Sequence, residues 1–201
     1  MPGIPIQCTR VADRAFPQLK VSWRQPGDFW RYPQQIDLEE TLDWKAKIVD
    51  AYKASAQDAP PTRPSFCDGA CLSVIARMEE TSACRMPMSL HSLLSQTDGV
   101  KEELEIEHNH WLVASIVIYS VDEMIDTNLF MRREYRDRKI DRYWFFSTAG
   151  TDGIQFGMPA ELTDREDASV FAWYPDGTPD KYMADGLLPF LQGWCAGLAT
   201  V

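Results

Sequence analysis

Trp111-Leu-Val-Ala-Ser-Ile-Val-Ile-Tyr119 runs directly into Ser120-Val-Asp-Glu123. The first nine residues are β-branched, aromatic or otherwise uncharged, with no proline, and read as a strand. The next four place a Glu three positions after a Ser, the capping box that opens a helix, so a helix is expected from Val121 through Met124, Ile125 and Leu129 toward Tyr135. A strand that passes at once into a capped helix anchors the reading of the segments on either side.

Upstream, Glu103-Leu-Glu-Ile-Glu107 alternates with period two and predicts a second strand. Ahead of it, Pro87 precedes a helix with Leu90, Leu93 and Leu94 on one side, and Asp98-Gly99 supplies a left-handed stop. Another helix is expected over 69–81, with Leu72, Ile75, Ala76 and Met78 as its apolar face. A further one over 38–56 carries Leu38, Leu42, Ile48, Val49 and Tyr52, with Asp37, Glu39 and Glu40 in a first turn whose dipole favours acids. Between these two, Asp58-Ala-Pro-Pro-Thr-Arg-Pro64 reads as a loop, because consecutive prolines cannot continue a ladder. Residues 1–36 have no helical period and interleave Pro17, Pro26 and Pro33 with Trp23, Phe29, Trp30 and Tyr32. They are expected to form an irregular arm whose rings pack onto a single domain, residues 37–201.

Downstream, Tyr143-Trp-Phe-Phe-Ser147, Gly153-Ile-Gln-Phe-Gly157 and Val170-Phe-Ala-Trp-Tyr174 read as three short strands, the first two joined by the tight turn Gly150-Thr-Asp-Gly153. Leu187, Leu188, Phe190, Leu191, Trp194 and Leu198 form a terminal amphipathic helix, with Pro189 tolerated in its first turn. Helices first, then strands interspersed with helices, predict an α+β domain built on a mostly antiparallel twisted sheet.

The 201 residues suit one domain with an arm, and 30 Asp+Glu against 20 Lys+Arg give a formal net charge of −10. Such a balance argues against direct nucleic-acid binding, which depends on Lys and Arg displacing counterions from phosphates. Hydrophobic residues at 45% suffice for a core without disulfide staples. No stretch approaches the ~20 apolar residues of a membrane-spanning helix, and no basic segment followed by an apolar run opens the chain. A cytoplasmic protein without membrane association is the expectation. The five cysteines, Cys8, Cys67, Cys71, Cys84 and Cys195, are an odd number and are expected to be reduced and mostly buried.

Cys67-x3-Cys71-x12-Cys84 has the look of a zinc half-site. Cys71 falls in a predicted helix, however, and no His follows at finger spacing, so buried thiols are the reading here. His108-x-His110 would set two imidazoles on one side of a strand, a usable metal geometry, with Glu105 or Glu107 as third ligand only if the strand bends. No nucleophile elbow, phosphate loop or dinucleotide fingerprint is present. No catalytic residue and no cofactor are expected. Charge placement is more informative. Glu102, Glu103, Glu105 and Glu107 form one acidic cluster, and Glu161, Asp164, Glu166 and Asp167 form another. All eight are candidate partner-binding residues, because an acidic face steers a basic partner. The run Arg132, Arg133, Arg136, Arg138, Lys139 and Arg142 between them reads as the cationic end of a helix.

Three runs carry a family resemblance. Met86-Pro-Met-Ser-Leu-His-Ser-Leu-Leu-Ser-Gln-Thr-Asp-Gly-Val100, Ile118-Tyr-Ser-Val-Asp-Glu-Met-Ile125 and Trp144-Phe-Phe-Ser-Thr-Ala-Gly-Thr-Asp-Gly-Ile-Gln-Phe156 resemble the SUKH superfamily, with Leu187-Leu-Pro-Phe-Leu-Gln-Gly-Trp194 where the closing helix of that family stands. The family includes fungal cell-wall-assembly regulators and bacterial immunity proteins. The likeness spans roughly Trp44 to Trp194, and the chain departs from it in the arm before Asp37 and the insertion Met158–Ser169. It implies a mixed α+β fold and no catalytic residues. The function expected from it is that of an immunity protein that occludes a cognate polymorphic toxin with a basic surface. The alternatives are a regulatory or scaffold protein of the same family without a toxin partner, and a metal-dependent enzyme using His108 and His110.

Overall fold

The structure is a computed structural model and describes residues 42–55, 61–82, 85–136, 140–160 and 168–198. The expected arm over 1–36, the start of the first expected helix, and Cys8 and Cys84 lie outside these residues.

Helix α1 is Trp44–Ser55, so Leu42, expected inside the helix, lies ahead of it; Asp43 precedes the first turn, its carboxylate accepting the Ala46 N–H at 3.0 Å while its carbonyl accepts that of Lys47. A side-chain acceptor at this position satisfies amides that the first helical turn leaves unpaired. Trp44, Ile48 and Tyr52, four apart, form the buried face. Trp44 N–H donates to Gln96 Oε1 at 2.9 Å, and the Gln96 amide donates to the Leu42 carbonyl at 2.7 Å.

The segment expected as a proline loop contains a strand, β1 (Thr62–Phe66), antiparallel to β2 (Val100–Glu107). Pro64 is tolerated because β1 is an edge of its three-stranded sheet, where a missing N–H needs no ladder partner. Helix α2 (Leu72–Ser82) starts three residues later than its periodicity suggests. The residues ahead of it are held by α3 (Met88–Gln96): Ala70 N–H donates to the Leu94 carbonyl at 2.8 Å, and a Cβ on Gly69 would stand 2.0 Å from Ser95 O. Only glycine fits there. Helix α3 ends in an extended Thr97, so Gly99 is not its stop. With φ 86°, Gly99 instead turns the chain into β2 beside Ser120 N.

Strands β2 and β3 (His110–Ile118) are antiparallel, and the capping box then opens α4 (Val121–Glu134) as expected. Ser120 Oγ accepts the Glu123 N–H at 3.3 Å, and Glu123 Oε2 accepts the Ser120 N–H at 2.8 Å. A second antiparallel sheet follows in the order β4 (Tyr143–Thr148), β5 (Gln155–Pro159), β6 (Val170–Trp173) and β7 (Lys181–Ala184), and α5 (Leu187–Cys195) completes the fold. The fold class is α+β. The mostly antiparallel sheet of the sequence reading is two sheets, and β7, four residues without an alternating pattern, is an addition to it.

Strand β4 explains its own composition. Trp144 and Phe146 enter the main core with Phe156 and Phe190, while Tyr143 and Phe145 enter a second cluster with Met131, Ile140 and Trp173. Both faces are buried, so an unbroken aromatic run replaces alternation. The Phe190 ring centre lies 5.6 Å from that of Phe146 and 5.0 Å from that of Phe156, and α5 also lies against α1. The outer edge of β4 is completed by a helix residue. Buried Asn128 accepts the Phe145 N–H at 3.0 Å through Oδ1 and donates through Nδ2 to the carbonyls of Phe145, at 2.7 Å, and Met124, at 2.8 Å. One residue on, the Tyr119 N–H donates to the Phe146 carbonyl at 2.9 Å and links the two sheets.

Candidate functional site

Strand β2, which carries four of the candidate acids, is the middle strand of its sheet. Register shifts at Glu102/Glu103 and at Glu105/Glu107 interrupt its alternation, so these carboxylates do not line one face.

Each has its own surroundings. Half-buried Glu102 accepts the Tyr52 hydroxyl at 2.8 Å and the Ser115 hydroxyl at 3.4 Å. Burial, reinforced by this bond to a carboxylate, pushes the Tyr52 phenol well above its ordinary range. The Cys195 thiol is pushed up to about 12 by burial, with the Glu102 charge adding to it. Glu103 accepts Arg63 Nε–H at 2.8 Å, and the same guanidinium lies 4.1 Å from the centre of the Trp111 ring. Arg63 is half exposed, a setting in which an ion pair contributes about 1 kcal/mol at most. Glu105 Oε1 accepts the Asn109 N–H at 2.7 Å and closes the hairpin turn, where Asn109 has φ 63°. Glu107, next to that turn, is exposed. The first cluster therefore combines internal supports, Glu102, Glu103 and Glu105, with one acid at an open hairpin tip. The second cluster, Glu161, Asp164, Glu166 and Asp167, lies outside the described residues.

The histidine geometry differs from the expectation. His108 belongs to the turn and His110 begins β3, so the two do not stand on one side of a strand, because a tight turn separates them. Among the described residues, no three His, Cys, Asp or Glu side chains are grouped to hold a metal ion. Cys67 and Cys71 are also not buried as expected. Both are exposed, since the loop is anchored through its backbone: Cys67 N–H donates to Thr97 Oγ1 at 3.2 Å, and the Cys71 carbonyl accepts the Val74 and Ile75 amides. Ser73 Oγ, 3.1 Å from Cys71 Sγ, holds that thiol below its ordinary pKa.

Of the basic run, Arg132 lies over the Trp144 ring and Arg142 pairs with Asp180. Asp180 also accepts the Tyr143 hydroxyl at 2.7 Å, and burial together with that carboxylate pushes the phenol up to about 12. Arg142, Tyr143, Pro159, Phe171 and Asp180 line a depression of about 620 Å³. Another, of about 370 Å³, is lined in part by Tyr119, Phe130, Met131 and Gln155. Among the described residues, no histidine or cysteine lines either of them. Among the described residues, no helix is long and apolar enough to cross a membrane. The arrangement Arg63–Glu103–Trp111 was not legible in the sequence, because Arg63 sits between prolines; its one signal is that a cation there could face the acidic strand.

No protein-family model matches the chain, and no curated protein sequence matches it.

Proposed function

We propose that the chain is a non-catalytic binding protein of the SUKH type, an immunity protein that neutralises a cognate protein toxin by covering it. The observation that carries this reading is the resemblance of the runs at 86–100, 118–125 and 144–156, which fall on α3, on the β3–α4 junction and on the β4–β5 hairpin. The acidity supports the choice of partner. With a net charge of −10 and Glu107 open at a hairpin tip, the chain suits a toxin whose surface is basic. Glu107 then guides encounter, while Glu102 and Glu105 hold the hairpin in shape.

Co-expression with the product of the neighbouring reading frame tests the reading. Protection of growth and a stable complex are expected. Glu107→Lys should slow association about threefold at low salt, with the difference shrinking as salt rises, and Glu102→Gln should leave the association rate unchanged. Absence of both binding and protection overturns the proposal.

A further inference from the structure

Five of the eleven glycines follow an aspartate: Asp68-Gly69, Asp98-Gly99, Asp152-Gly153, Asp176-Gly177 and Asp185-Gly186. Such a step is chemically prone to close on itself, because glycine has no side chain to shield its amide nitrogen or to restrict rotation of the peptide that carries it. The fold restrains four of the five. At 98–99 both reacting groups are engaged: Asp98 Oδ1 accepts the Val121 N–H at 2.7 Å, and the Gly99 N–H donates to the Thr97 carbonyl at 2.9 Å. At 176–177 the two Asp176 oxygens accept the Thr178 N–H at 2.9 Å and its hydroxyl at 3.1 Å. Asp185 accepts the Tyr182 hydroxyl, and Gly186 is buried at the start of α5. At 68–69 the Asp68 carbonyl accepts the Asp98 N–H at 2.9 Å, and Gly69 is pressed against Ser95 O, so the peptide between them is pinned.

Asp152-Gly153 lacks these restraints. Both residues are exposed in the turn between β4 and β5. Among the described residues, neither the Asp152 carboxylate nor the Gly153 N–H has a partner. The bonds that close the turn join the Ile154 N–H to the Thr151 carbonyl at 3.2 Å and the Ala149 N–H to the Ile154 carbonyl at 3.1 Å. Asp152 also has φ 54°, a left-handed conformation that is unfavourable for an L residue.

We propose that Asp152-Gly153 is a site of spontaneous isoaspartate formation. The Gly153 nitrogen attacks Cγ of the protonated Asp152 side chain. A Cγ–N bond forms, and the amide proton leaves with the carboxyl hydroxyl as water, giving a cyclic imide. Water then adds to one of the imide carbonyls. Addition at Cγ breaks the new bond and restores aspartate, whereas addition at the main-chain carbonyl breaks the original peptide bond and leaves the chain running through Cγ. Water is the sole co-reactant, and the mass is unchanged. The product lengthens the main chain by a methylene in a turn where Gly150, Asp152 and Gly153 all have positive φ. It thereby loosens the hairpin that places Gln155 to accept the Tyr119 hydroxyl at 2.9 Å.

Storage of the full chain at neutral pH in water enriched in heavy oxygen, followed by peptide mass mapping, tests this. A second chromatographic form of the peptide holding Asp152, carrying heavy oxygen, should accumulate at least about tenfold faster than at any of the other four steps, because each of those must first open locally. In denaturant the five steps should react at comparable rates, which assigns the selectivity to the fold. Asp152→Glu should abolish the signal, since the longer side chain closes a larger ring with difficulty. Asp152→Asn keeps a residue suited to the left-handed conformation and should accelerate the reaction, with ammonia leaving in place of water. Reaction led by another step, equal reaction at all five in the native chain, or none at Asp152 while the denatured chain reacts, overturns the proposal.

Discussion

At Cys71 the thiol stands in solvent with a hydroxyl 3.1 Å away, whereas Cys195 is half-buried against the main core. Because the thiolate is the reacting form, brief alkylation of the native protein near neutral pH should label Cys71 ahead of Cys67 and spare Cys195 until the chain is unfolded. Peptide mass mapping checks this, and labelling of Cys195 at the rate of Cys71 would contradict its burial. Asp98 offers a pH-dependent counterpart. Burial raises its pKa, its bond to the Val121 N–H at 2.7 Å lowers it, and Asp122 and Glu123 raise it again, leaving it above the ordinary value. The folded state therefore binds this proton more tightly than the unfolded one, and the contribution of Asp98 to stability falls as pH rises through the folded pKa. Asp98→Asn keeps the acceptor and removes the charge. Its stability relative to the native chain should rise from pH 3 to neutrality, as read by urea melts at several pH values, and a flat difference would show that the carboxyl is unperturbed. The sequence disclosed such roles only where they are local. Ser120 and Glu123 announce each other three residues apart, while Glu102 gives no hint of Tyr52, 50 positions away.

Elements show the same division. Helices α3 and α4 and strands β2, β3 and β4 were legible because each has a dense local signal: leucines at helical spacing, a capping box, alternation or an aromatic run. Strand β1 was hidden by its prolines, which forbid a central strand but not an edge. Strand β7 was hidden by its length, and the late start of α2 by a tertiary contact at Gly69 that no local pattern encodes. Asn128 belongs at this scale, because one side chain replaces the neighbour that β4 lacks. Asn128→Ala would leave the Phe145 N–H and C=O without partners in a buried place, a loss of about 3 kcal/mol, whereas Arg63→Ala on the exposed pair with Glu103 should cost under about 1 kcal/mol. Denaturant unfolding of the two variants distinguishes them. Equal losses would mean that water reaches the edge of β4.

For the molecule as a whole, class and acidity were readable and arrangement was not. Element order predicts α+β, yet nothing in the order tells that the strands divide into a group of three and a group of four. Nor does it tell that the first described helix lies against the last, for α1 meets α5, and no period or motif spans that distance. That contact governs how the chain is made. During synthesis α1 leaves the ribosome long before α5 exists, and the partners that pin it, Gln96 on α3 and Glu102 on β2, are themselves late. Pairings so distant in sequence are slow to form, because loop closure comes before any contact can reward it. Until α5 emerges, Phe146 and Phe156 lack the rings of Phe190 and Trp194 that cover them, and the nascent chain presents its future core to whatever chaperone stands at the tunnel exit.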